Sequence, residues 1–182
     1  MDLHDRALLI AKIAKEQPNI GKTAMMKCLY LLQIVEKVPL NYSFEIHTYG
    51  PYSSDVMSEI DYANQEGYIS VSGILYPTGQ FGYSINCDTQ GEVLTKASEV
   101  DIYQPQIDSV VHAFAGKTAK ELELLSTIIF TICRYGKNGW PMSKADICDA
   151  VKEIKPQFTL DEIEEKYCFL LENQHINKAL QS

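Results

Sequence analysis

Between Val38 and Thr95 the chain has no lysine and no arginine. The same span carries Glu45, Asp55, Glu59, Asp61, Glu66, Asp88 and Glu92. Binding to nucleic acid rests on cations that neutralise phosphates, so this span argues against a DNA-reading surface. Other absences narrow the field further. No run of 18 apolar residues occurs, which excludes an ordinary spanning helix. The most apolar stretch, Leu122 to Cys133, is broken by Glu123, Ser126 and Thr127. The start, Met1-Asp2-Leu3-His4-Asp5-Arg6, lacks the basic and apolar regions of a secretory signal. A cytoplasmic protein without membrane contact is the expectation. Cys28, Cys87, Cys133, Cys148 and Cys168 form no Cys-x-x-Cys pair, and no histidine stands at zinc-site spacing. They are expected to be buried free thiols.

Signals of chemistry are equally sparse. Gly-x-Ser-x-Gly and His-Glu-x-x-His do not occur, and His4, His47, His112 and His175 are scattered. Gly21-Lys22-Thr23 matches the end of a P-loop, but position 16 is Glu16 rather than glycine; it is read as a helix start. Asp55, Glu59 and Asp61 have no ligand loop of the kind a cation site needs. A non-enzymatic protein with no cofactor and no metal is expected.

What is present is ordinary globular composition: 182 residues, 46% hydrophobic and 22% charged, with a formal net charge of -8. Apolar spacing predicts a helix over 3–15, ended by Gln17-Pro18-Asn19, and a second over about 21–36 that is apolar on more than one face. An extended segment or a strand is expected at 41–48, from the alternation of Tyr42, Phe44 and Ile46. Tyr49-Gly50-Pro51 is taken as the start of a third helix, with Pro51 in its first turn, Val56, Ile60 and Ala63 on one face and Gly67 as its stop. Strands at 68–75 and 80–86 flank a turn at Pro77-Thr78-Gly79, and a helix follows from Gln90. This order suggests a winged helix. Beyond it the chain reads as helical: 105–115, then helices opened by the capping boxes Thr118-Ala119-Lys120-Glu121 and Thr159-Leu160-Asp161-Glu162, with another starting at Ser143. The fold expected is mainly α (α+β), with a winged-helix-like portion over 1–97 and a helical portion over 98–182 packed on it, or one continuous domain.

Tyr42, Tyr49, Tyr52, Tyr62, Tyr68, Tyr76 and Tyr83 all fall in the cation-free span. Tyrosine suits protein interfaces because it joins apolar area to a polar tip. A protein-binding face is therefore expected at Tyr49, Tyr52, Asp55, Glu59, Tyr62 and Glu66, the third-helix carboxylates having no local cation to offset them. Self-association as a two-fold homodimer is a further option. The alternative is a DNA-binding winged-helix regulator that uses the local basic excess of the first two helices, Arg6, Lys12, Lys15, Lys22 and Lys27. The helical pair at 143–155 and 159–173 is another place for a helix-turn-helix, in a net acidic region.

Lys22-Thr23-Ala24-Met25-Met26-Lys27-Cys28-Leu29-Tyr30-Leu31-Leu32-Gln33, followed by Tyr49-Gly50-Pro51-Tyr52-Ser53, resembles the uncharacterised bacterial YwgA-type proteins. It is more distantly similar to the Panacea domain of SocA-like antitoxins. Glu121–Thr127 and Lys155-Pro156-Gln157-Phe158-Thr159 also resemble the YwgA-type pattern, so the likeness spans about 20–170. It implies a prokaryotic or phage setting and a helical fold with a winged-helix-like portion. The Panacea likeness further implies neutralisation of a toxin by protein contact. No catalytic residue comes with either.

Overall fold

A computed structural model describes residues 1–75, 79, 81–96, 98–114 and 116–180. Tyr76, the Pro77-Thr78 part of the expected turn, Gln80 and Ala115 lie outside the described residues. The protein is mainly α with two small antiparallel hairpins. α1 (Leu3–Glu16) is capped by Asp2, whose side chain accepts from the Asp5 N–H. α2 (Lys22–Ile34) buries residues all round. It packs on α1 on one side and on the helices of the second half on the other. That central place explains why its sequence shows no single apolar stripe.

Between α2 and the third helix, a strand falls within the expected extended span, while the segment at Gly50–Tyr52 departs from expectation. β1 (Glu45–His47) and β2 (Gly50–Tyr52) form a tight antiparallel pair, with Ile46 opposite Pro51. Pro51 is thus in a strand and not in a helix. Gly50 has a φ of +86°, which reverses the chain and returns it along β1. Proline is tolerated there because a two-stranded sheet has only edge strands. α3 begins three residues later (Ser54–Gln65), with Val56, Ile60 and Ala63 fully buried, and ends at Gly67, φ +71°.

β3 (Ile69–Leu75) and β4 (Phe81–Cys87) pair in register from Ile69 opposite Cys87 to Leu75 opposite Phe81. The Ile85 N–H donates to the Ile20 carbonyl at 2.8 Å and ties the hairpin to the α1–α2 connection. α4 (Thr89–Lys96) follows, then a 3-10 turn at Glu99–Tyr103 and α5 (Gln104–Phe114). α6 (Ala119–Asn138), α7 (Lys144–Ile154) and α8 (Leu160–Glu172) each open on a complete capping box, at Thr118, Ser143 and Thr159. A last helix absent from the sequence reading, α9 (His175–Leu180), folds back against α6 and α8.

The α9 return buries His175 between Phe114 (ring centroids 5.2 Å apart) and Phe169 (6.3 Å). Neither of its ring nitrogens has a hydrogen-bond partner. Burial lowers its pKa below 6.5, nearby Lys178 adds to this, and Glu36 opposes it. The unfolded chain takes up this proton more readily than the folded one. The neutral imidazole therefore supports the fold above about pH 6.5, and that support is lost as pH falls through the lower folded-state value. His175→Phe is expected to flatten the fall in urea midpoint between pH 7 and pH 5. A parent-like slope in the variant would assign the acid sensitivity to other groups.

Candidate functional site

Two pairs of the charged residues singled out by the sequence meet in the fold, Arg6 with Glu59 and Lys22 with Asp61. Glu59, expected on an exposed acidic face, is only 4% exposed. Its carboxylate accepts from Arg6 Nε (2.9 and 3.1 Å) and Nη2 (2.6 Å), and from the Tyr42 hydroxyl. Asp61 pairs with Lys22 Nζ at 3.0 Å. The third helix is therefore offset by cations, from α1 and α2. Lys12 is buried against Asp101, and Lys27 is buried in the core, so Arg6, Lys12, Lys22 and Lys27 do not form an open basic face. Lys15 is half-buried. Asp55 and Glu66 are exposed, as expected. Tyr49 is 66% exposed, Tyr52 and Tyr62 are half-buried, and Tyr42 and Tyr68 are buried. Among the described residues no group of three His, Cys, Asp or Glu side chains is placed to hold a metal ion. All five cysteines are free; Cys28 and Cys148 are buried, while Cys87, Cys133 and Cys168 are only partly so.

Two buried lysines, which the sequence reading left without a structural role, hold the β1–β2 hairpin. Lys27 Nζ donates to the Pro51 carbonyl at 2.6 Å. Lys155 Nζ donates to the carbonyls of His47 (2.9 Å) and Thr48 and pairs with Glu123 Oε1 at 2.9 Å. Gln157 Nε2 also donates to Glu123 Oε1, at 3.0 Å. Desolvation pulls the Lys27 pKa down to about 8; Glu123 opposes this and Lys155 adds to it. The signal in the sequence is Lys27 itself, a cation amid Met25, Met26, Cys28 and Leu29 on a helix apolar all round. A lysine there must find acceptors inside the protein. Gly50 completes the clamp. A Cβ at this position would lie 3.2 Å from Thr127 Oγ1 and 3.3 Å from the Glu123 carbonyl and Ser126 Oγ. With its positive φ, Gly50→Ala is expected to cost about 1–3 kcal/mol. Chemical denaturation measures this, and a loss under 0.5 kcal/mol would mean that the hairpin shifts freely on α6.

Beside this clamp lies a cavity of about 370 Å³. It is lined by Lys22, Met26 and Lys27 of α2, by the hairpin residues His47, Tyr49 and Tyr52, and by Tyr83 of β4. The His47 and Tyr52 rings pack with centroids 4.8 Å apart. Lys22 Nζ sits 4.8 Å above the Tyr83 ring, a cation–π contact.

From this cavity an apolar surface runs out along the second hairpin. Alternation places Ile69, Val71, Gly73 and Leu75 on one face of β3, with Cys87, Ile85, Tyr83 and Phe81 opposite them on β4. At the base this face is core: Ile69 and Ile85 are buried. Toward the tip it runs past the body of the protein, and Leu75 is 72%, Phe81 66% and Tyr83 43% exposed. Phe81 lies across Gly73, where a Cβ would come within 2.6 Å of the ring, and meets Tyr83 edge-on at 5.3 Å. The sequence showed the alternation; that the outer half is uncovered depends on where the body ends.

No helix of the described residues is long and apolar enough to cross a membrane. No family model matches the chain. It is similar to the uncharacterized protein YwgA of Bacillus subtilis (strain 168), 22% identical over 132 residues that cover 70% of this chain and 75% of that protein. That similarity supports a YwgA-like relationship.

Proposed function

We propose that the protein is a non-enzymatic interaction module that binds another protein through the outer apolar face of the β3–β4 hairpin and the adjoining Tyr49 loop. The observation that carries this reading is the exposed, contiguous set Leu75, Phe81 and Tyr83. An amphipathic hairpin that runs past its own core leaves an apolar surface that water covers at a cost, and such surfaces mark interaction sites. Tyr49 adds a further exposed ring. Asp55 and Glu66 are exposed acidic groups on α3 and its cap, suited to a basic surface on the partner. The specific form suggested by the motif likeness is antitoxin-like or defence-related regulation by contact.

The test is affinity purification of the tagged full chain from its native host. A stoichiometric protein is expected to be retained by the parent chain and lost from Phe81→Ser, a change at an exposed tip that leaves the core intact. No stoichiometric protein, or equal retention by both chains, would refute the reading. The DNA-binding alternative draws less support, because Lys12 and Lys27 are buried, Arg6 is held by Glu59, and Lys22 shares its charge with Asp61 at the surface. A mobility shift with mixed duplexes at low salt tests it directly.

A further inference from the structure

We propose that the cavity between α2, the β1–β2 loop and Tyr83 is a binding site for a small planar aromatic molecule that carries an anionic group. Its volume of about 370 Å³ falls within the roughly 300–1,000 Å³ of small-molecule sites. Aromatic rings from two separate elements line it, Tyr83 on β4 and the packed His47–Tyr52 pair on the hairpin. Rings of this kind take a planar ligand by stacking. Among the described residues, the charged ones that line the space are two lysines, Lys22 and Lys27, and no carboxylate lines it. In a chain of net charge -8, whose span from 38 to 95 has no lysine or arginine, that is a local reversal of sign. Both cations come from α2, while the hairpin side supplies the rings.

The lysines have capacity for a ligand. Lys22 shares its charge with Asp61, whose carboxylate is well exposed and can turn to water when a ligand anion arrives. Lys27 makes one hydrogen bond, to the Pro51 carbonyl, out of the three its ammonium can donate. Its charge is held out of water, with Glu123 and Lys155 as its nearest charged neighbours and Lys22, His47, Tyr49, Tyr52 and Tyr83 around the cavity. An anion beside it restores the charged form. Binding is thus favoured below about pH 8 and weakens above it, where the free site must first take up a proton.

The experiment titrates the purified, isotope-labelled full chain with AMP and with phenyl phosphate, and follows backbone amide resonances. Adenosine and inorganic phosphate serve as half-ligands. At least one of the two whole probes is expected to shift cavity residues saturably with a dissociation constant of about 1 mM or tighter, and the half-ligands to bind at least about tenfold more weakly because each lacks one of the two contacts. Tyr83→Ser and Lys22→Gln, both at the rim and compatible with the fold, are each expected to weaken the better probe by about tenfold. Its affinity is expected to fall between pH 7 and pH 9, when the phosphate is already dianionic. Flat titrations with both whole probes overturn the proposal, as do saturable shifts that lie elsewhere or half-ligands that bind as well as the whole. The titrations use the chain alone, so they can fail while the protein-binding reading stands.

Discussion

Lys155→Ala is expected to lower the free energy of unfolding by about 3–5 kcal/mol, the usual cost of stranding one member of a buried ion pair. Lys155 and Glu123 are both buried, and their charged atoms lie 2.9 Å apart. Removing the ammonium leaves the Glu123 carboxylate, among the described residues, with Gln157 as its side-chain donor. It also strips the carbonyls of His47 and Thr48 of their donor at the point where the β1–β2 hairpin meets α7. A small domain has about 5–15 kcal/mol in total, so the variant should lose a large part of its stability, read as a fall in urea midpoint at unchanged slope. A double variant, Lys155→Met with Glu123→Leu, removes both charges and should recover much of the loss, since a buried pair is often no better than well-packed apolar groups. If Lys155→Ala costs less than 1 kcal/mol, the pair does not anchor the hairpin. If the double variant is as unstable as the single one, the carbonyl contacts outweigh the charge pair.

This pair shows why the sequence yielded the elements more readily than the site. The capping boxes at Thr118, Ser143 and Thr159 form between residues three apart, so their motifs carry the whole interaction. The helix faces of α1 and α3 and the alternation in β3 and β4 are likewise local patterns. The charge pairs are not. Arg6 meets Glu59 across 53 positions, Lys22 meets Asp61 across 39, and Lys12 meets Asp101 across 89. Counting charge by segment set a cation-free block against a basic one, while in the fold the two neutralise each other along the α1–α3 and α2–α3 contacts. The net excess of carboxylates in the block is real. Its partition into an acidic face and a basic face dissolves once the helices pack.

The Tyr49-Gly50-Pro51-Tyr52 segment failed for a different reason. Proline after glycine fits the first turn of a helix and also a tight reversal into an edge strand. What decides is the close approach of Gly50 to α6, more than seventy positions later in the chain. Tyr49, Tyr52 and Tyr83 were visible as a tyrosine-rich set, and all three line the cavity. Lys22 and Lys27 were visible as cations but assigned to a nucleic-acid face. Their joint position at the cavity comes from the turn of α2 that places Lys22, Met26 and Lys27 toward the hairpin.

Glu59→Ala is expected to cost about 3 kcal/mol, at the lower edge of the range for broken buried pairs because Arg6 keeps some contact with water. The carboxylate is a three-way node. It holds the guanidinium of α1 through two nitrogens and accepts from the Tyr42 hydroxyl, while Arg6 Nη1 donates to the Met1 carbonyl at 2.9 Å and the guanidinium carbon lies over the Tyr42 ring, 5.3 Å from its centroid. Burial and the bond to Glu59 raise the Tyr42 pKa, so the phenol stays a donor and needs an acceptor. Alanine strands that donor and the guanidinium together. Glu59→Gln keeps an acceptor for Tyr42 at nearly the same volume and should cost visibly less, which separates lost charge from lost packing. Asp55→Ala and Glu66→Ala, both at exposed positions of the same helix and its cap, should change stability by no more than about 0.5 kcal/mol. The comparison decides what the acidic residues of α3 are for. If Glu59→Ala leaves the urea midpoint within that small range and instead weakens retention of a protein partner, Glu59 acts in recognition; if stability collapses as expected, it is a structural strut, and the recognition surface must be built from the exposed residues around it.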